Sequence, residues 1–234
     1  RVEYYFSDFL SRLESRPSKG NVSDKTLRKD AEIELEIPNS KNETVRLFPG
    51  YNLLFAGTMN EDETTQSLSD KVIDRANILR FGAPSELIEA IEQGTLPEVK
   101  GLQLEQWNSW VRPVSDTASD AQVVNGAINK MSTLMLEFGR PFGHRLALAI
   151  KSYVANYPYL DGIDRINVAL ADQVEMRLLP KLRGVDVEDC AVQFSELRRF
   201  VQDQLNDLRL AEAIEKSVEA SERNSQFTWA GVTR

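Results

Sequence analysis

The residues best suited to chemistry are few and widely spaced. Asn60 follows an apolar run at 51–56 and the link Gly57-Thr58-Met59. An amide at a strand tip can hold a water or a phosphate oxygen without adding charge, and Asn there can equally cap the next turn. The acidic stretch Glu61-Asp62-Glu63 comes next. Arg75 ends the following helical stretch, where a guanidinium could meet a phosphate or form a rim ion pair worth about 0–1 kcal/mol. Arg145 lies in Gly143-His144-Arg145, which opens a helix further on, where a capping turn with a solvated Arg is the plainer reading. Cys190 is the only cysteine and His144 the only histidine, and they are far apart in sequence. A thiol without an activating partner reads as a packed apolar side chain. One His and one Cys fall short of a catalytic zinc site, so no metal centre is expected.

The elements that must position these residues follow from periodicity. Residues 1–15 carry Tyr5, Phe6, Phe9, Leu10 and Leu13 at helical spacing. Residues 31–37 alternate Ile33, Leu35 and Ile37 with Glu32, Glu34 and Glu36, the pattern of a half-buried strand. A turn at 38–42 and a second alternating run at 44–48 complete a β-hairpin. The run at 51–56 lacks alternation, as in a strand buried on both faces of a parallel sheet. A short helix over 67–75 and a short strand over 77–81 are expected after it. Beyond Gly82-Ala83-Pro84 the patterns are helical: 86–93 after the candidate N-cap Ser85, then 120–137, 145–156, and 167–179 stopped by Pro180. A long stretch over 188–222 breaks once or twice. Trp107 and Trp110 precede Pro113 and read either as packing anchors or as an exposed docking pair.

Taken together, these segments resemble a known family. Leu53-Leu54-Phe55-Ala56-Gly57-Thr58-Met59-Asn60, then Asp70-Lys71-Val72-Ile73-Asp74-Arg75-Ala76, then Leu79-Arg80-Phe81, resemble the AAA+ ATPases, in particular the McrB-like branch of nucleotide-driven restriction motors. The first ten residues look like the segment just after the Walker B acidic pair in that branch. The hairpin at 31–48 takes the place of a pre-sensor-1 insertion. Phe142-Gly143-His144-Arg145 with Tyr153 resembles the sensor-2 opening of a lid helix, and the segment ending Leu178-Leu179-Pro180-Lys181-Leu182-Arg183-Gly184 resembles the end of such a lid. The likeness covers roughly residues 1–185.

The resemblance implies a fold and a set of roles. The fold is a partial α/β AAA+ core, with few strands plus the hairpin insertion, over 1–83, followed by a mainly α-helical lid-like domain over 84–234. Asn60 would be sensor 1, orienting the attacking water with Glu63 behind it. Arg75 would be the finger that reaches a neighbouring subunit's nucleotide, and Arg145 the sensor-2 arginine. The cofactor would be ATP or GTP with Mg²⁺ in the full-length protein, and the assembly a homo-oligomeric ring with a partner nuclease, acting in DNA restriction. The sequence departs from the pattern in three ways. No Gly-x-x-x-x-Gly-Lys-Ser/Thr loop is present, so Walker A is missing. Walker B is missing too. A single Arg stands where the branch often carries consecutive ones, and Glu63 replaces an Asp. The 234 residues are therefore expected to be a piece of a longer chain, inactive alone and binding no nucleotide. The alternative is a non-hydrolysing helical interaction module that docks a partner protein.

Charge and composition narrow the classes further. There are 28 Lys and Arg against 36 Asp and Glu, a net charge of −8. The division is 12 against 14 up to Ala83 and 16 against 22 beyond it, so neither part suits a polyanion and DNA binding by this chain is not expected. No apolar run approaches the ~20 residues that span a bilayer. With a lone cysteine and no signal pattern, a cytoplasmic, reducing location is expected.

Overall fold

A computed structural model describes residues 9–16, 24–36, 44–59, 68–81, 101–112, 120–159 and 161–232. It divides into two units, Arg1–Ala76 and Asn77–Arg234.

In the first unit, the apolar periodicity around Phe9 and Leu13 gives a helix over 9–14 (α1). A short helix, Lys25–Arg28 (α2), starts where the Asp24 carboxylate accepts from the Thr26 backbone N–H at 2.8 Å. The alternating runs form the expected antiparallel hairpin, Ile33–Glu36 (β1) with Thr44–Leu47 (β2), in the register Ile33↔Leu47 and Leu35↔Val45. Its apolar face is only partly covered: Ile33 and Val45 are half-buried, whereas Leu35 and Leu47 are exposed. The expected buried strand at 51–56 is not found. Residues 53–59 have no strand pairing, and Leu53, Leu54, Phe55 and Met59 are exposed, Leu54 by 77%. A strand exists only through a ladder partner, and the described residues offer this run none. One ring contact holds it, Phe9 against Phe55 at 4.4 Å, edge to face. The last helix of the unit, Asp70–Ile73 (α3), is shorter than the 67–75 expected and buries Val72 and Ile73.

The second unit carries a large helical core. Leu104–Trp110 (α4) buries none of its residues. Ala121–Glu137 (α5) buries Val124, Ala127, Ile128, Met131, Leu134 and Met135, spaced as one helical face. It ends in a Schellman turn: Arg140 N–H donates to the Met135 carbonyl at 2.8 Å, Gly139 N–H to Leu136 at 2.9 Å, and Gly139 takes φ +68°. His144–Asn156 (α6) and Arg165–Gln173 (α7) pack together, and α5 contacts α6, α7 and Ala191–Arg199 (α8). Leu208–Ser221 (α9) lies on α8, after a break at Asn206, whose φ of 56° suits the local side-chain bonding of Asn.

Two helices run on through wider turns. After α7 comes a π segment, Val174–Leu178, then a 3₁₀ segment, Leu179–Leu182. Pro180 therefore does not stop the helix as expected. It enters the first 3₁₀ turn, where no N–H is required of it. In an α-helix the N–H of residue 180 would have bonded the Met176 carbonyl. Ile78 N–H takes that carbonyl instead, at 3.1 Å.

Residues 77–81 thus join the helical unit rather than form a strand in a sheet. Besides the Ile78 bond, Arg177 Nε donates to Asn77 Oδ1 at 2.7 Å, Arg80 Nη1 to the Trp229 carbonyl at 2.6 Å, and Phe81 makes a parallel bridge with Val232. The C-terminal tail places Phe227 and Trp229 in the core. It is held on one side by Gly184 and Val185, and on the other by hydroxyls of α9: Ser221 Oγ accepts from Thr228 N–H and Ser217 Oγ from Ala230 N–H.

Candidate functional site

Of the four residues expected to act, Asn60 and Glu63 lie outside the described residues. Arg75 stands two residues after α3, at the end of the first unit, and is held by the last turn: its N–H donates to the Val72 carbonyl at 3.0 Å. Its guanidinium turns back to Glu14 on α1, with Nε 3.0 Å from a carboxylate oxygen. That oxygen lies off the N–H direction, so the contact is an ion pair rather than a directed hydrogen bond. The Arg75 side chain is 18% exposed and its Glu14 partner 37%. A guanidinium reaching another subunit would first have to leave this carboxylate.

Arg145 is the second residue of α6, in the second unit. It is exposed, and Gly143 before the helix supplies the extended N-cap. Tyr153, two turns along, does not face open solvent. Its hydroxyl donates to Asp172 Oδ2 on α7 at 2.9 Å, tying the two helices together. No group of three or more His, Cys, Asp or Glu side chains that could hold a metal ion occurs among the described residues. They offer Mg²⁺ no such set.

Several features escape sequence patterns. Gln173 is fully buried at the α7–π junction, and neither end of its amide has a hydrogen-bond partner among the described residues. Such a group costs about 1–3 kcal/mol unless water reaches it. Trp110 is 58% exposed and Leu104 69%, while Trp107 is half-buried, so the two tryptophans are not a pair of core anchors. Cys190 is half-buried at the start of α8, and its thiol pKa is pushed up by burial and then by the nearby carboxylates of Asp189 and Asp186. That is the opposite of what a nucleophile needs. No helix among the described residues is long and apolar enough to cross a membrane.

Two clefts lie on the helical unit. One, of about 270 Å³, sits beside the π segment Phe200–Gln204 (which continues α8), with Lys130, Glu196, Arg199 and Asp203 balancing its charge. The other, of about 350 Å³, is lined by Tyr153, Asn156, Tyr157, Pro158 and Asp172. Sequence periodicity could not find either, because each brings together residues from different elements.

No curated protein and no solved structure matches the chain. A family profile does: residues 98–226, more than half of the chain and most of the helical unit, match a domain of unknown function, DUF8727. The chain belongs to the DUF8727 family, and the family match falls on the helical unit rather than on the segment that carries Asn60 and Arg75.

Proposed function

We propose that the chain is the sensor and finger half of a McrB-like AAA+ nucleoside triphosphatase, joined to a helical DUF8727 domain. It works in the cytoplasm as part of a ring that hydrolyses ATP or GTP. One observation carries the reading beyond the motif itself. Residues 53–59 are apolar without alternation yet stand exposed, a composition that suits a sheet interior which the described residues do not complete. In this reading the rest of the sheet, the phosphate loop and the Mg²⁺ carboxylates belong to the same polypeptide outside these 234 residues. Arg75 exchanges Glu14 for the charge on a neighbouring subunit's nucleotide, so that pair is a resting position. In-trans arginines of this kind raise rates by about 10³–10⁵. DNA restriction with a partner nuclease rests on the resemblance alone.

The test uses the full-length polypeptide. Arg75→Ala protein is mixed with a subunit defective only in its phosphate loop, and nucleotide hydrolysis is measured. Rescue in the mixture is the expected outcome. No rescue at any ratio, with assembly intact, would remove Arg75 from the role. A second reading, a docking module for a partner protein, is favoured by exposed Leu104 and Trp110 on α4. It gains ground if Arg75→Ala leaves hydrolysis unchanged while Trp110→Ala abolishes assembly.

A further inference from the structure

The strongest unassigned feature is a pair of arginines with no carboxylate partner among the described residues. Arg112 and Arg165 both stack on the ring of Tyr159, their guanidinium carbons 4.5 and 4.2 Å from its centroid. Two like charges are therefore held within about 9 Å of each other, which costs energy unless a counter-charge arrives. Among the described residues neither guanidinium has an ion-pair partner, in a chain of net charge −8 where acidic groups are plentiful.

The two cations are built in. Asn156, the last residue of α6, clamps the Arg112 backbone from both sides: its Oδ1 accepts from Arg112 N–H at 2.7 Å, and its Nδ2 donates to the Arg112 carbonyl at 3.1 Å. Arg165, the first residue of α7, donates from Nη1 to the Tyr157 carbonyl at 3.4 Å. Both anchors, Asn156 and Tyr157, also line the 350 Å³ cleft, so the charge pair stands at its rim. Inside the cleft the Tyr153 and Tyr157 rings lie 5.7 Å apart at 57°. Asp172 accepts from Tyr153 through Oδ2, and its Oδ1 is left to receive an N–H.

The geometry points to a binding site for a phosphate monoester that also bears a planar, amino-carrying ring, such as an adenine nucleoside monophosphate. The phosphate takes the two guanidiniums, which suit oxyanions through their planar donor forks. The ring lies along the tyrosines and donates an N–H to Asp172. A cationic ligand is disfavoured, since the rim carries two positive charges and the cleft a single carboxylate that already accepts one bond. A polyanion is disfavoured by the chain's overall charge. The site is distinct from Arg145, since it lies at the other end of the 13-residue α6, about 16 Å away at 1.5 Å per residue, and it takes a monophosphate rather than the ATP or GTP that this chain is expected not to hold by itself.

The chain is titrated calorimetrically with adenosine 5′-monophosphate, with adenosine, ribose 5-phosphate and inorganic phosphate as separate arms. The expected result is saturable binding of the monophosphate, competed by inorganic phosphate. Adenosine and ribose 5-phosphate should each bind about tenfold or more weakly. Arg112→Gln and Arg165→Gln should each weaken the monophosphate about tenfold, the usual scale for one charged hydrogen bond, with the thermal unfolding midpoint unchanged. Asp172→Ala should weaken the monophosphate while leaving ribose 5-phosphate unchanged. No saturable binding at millimolar concentration overturns the proposal. So does undiminished binding by the folded Arg112→Gln/Arg165→Gln double variant, or ribose 5-phosphate binding as tightly as the nucleotide.

Discussion

Cys190 is the residue whose surroundings decide its chemistry most plainly. Burial, Asp189 and Asp186 all disfavour its thiolate, so at pH 7.5 it holds less of the reactive form than an ordinary cysteine. Alkylation by iodoacetamide should be slower than for a free thiol in the same buffer, and should catch up only above the usual thiol range. Asp186→Asn removes one of the two charges that raise the pKa, so it should speed the reaction at pH 7.5. Rates followed by mass spectrometry check both statements, and a faster than ordinary thiol would contradict them. Arg75 teaches a different lesson. Its position after a short helix was legible, but its partner was not, because Glu14 lies 61 residues earlier and no periodicity links the two. Asn60 and Glu63 remain expectations carried by the motif.

Helices of the second unit were legible to within a residue or two wherever one apolar face runs for several turns. The pattern at 120–137 becomes α5 at Ala121–Glu137, and that at 145–156 becomes α6 at His144–Asn156. Legibility failed where backbone bonding is settled at long range. Pro180 looks like a stop, yet the helix passes it because Ile78, about a hundred residues earlier, fills the carbonyl that proline leaves open. The run at 51–56 failed for the complementary reason: its apolar composition speaks of neighbours that the described residues do not supply. Helix α9 yields a prediction with an unusual sign. Ala is the better helix former, so Ser217→Ala on an exposed helix would stabilise. Ser217 is instead buried and its Oγ is the acceptor for Ala230 N–H. Ser217→Ala should lower stability by about 0.5–1.5 kcal/mol, the net worth of a lost hydrogen bond. Urea unfolding measures it, and an unchanged or raised midpoint would show that the tail finds another acceptor.

At the scale of the whole helical unit, the family match and the packing have different limits. The match runs over 98–226, whereas Phe227 and Trp229 lie in the core and residues 77–81 bond to Met176, Trp229 and Val232. The physical domain is therefore longer than the matched one at both ends. A fragment of residues 98–226 should unfold at lower urea concentration than one of residues 77–234. In the longer fragment, Trp229→Ala should cost about 3–5 kcal/mol, as for other large core truncations. Equal midpoints for the two fragments would show that strap and tail add nothing.

The bridge between Phe81 and Val232 also bears on how the unit could be rewired. It sets the beginning and end of one domain side by side and pointing the same way. A peptide leading from Val232 back to Asn77 has only the length of four strand residues to retrace, so a linker of about six to eight residues should suffice. The domain is thus suited to circular permutation, with new ends opened at the exposed turn around Gly162, whose φ is +74°. Its order of helices along the chain would then be a matter of history, separable from the packing that holds them together.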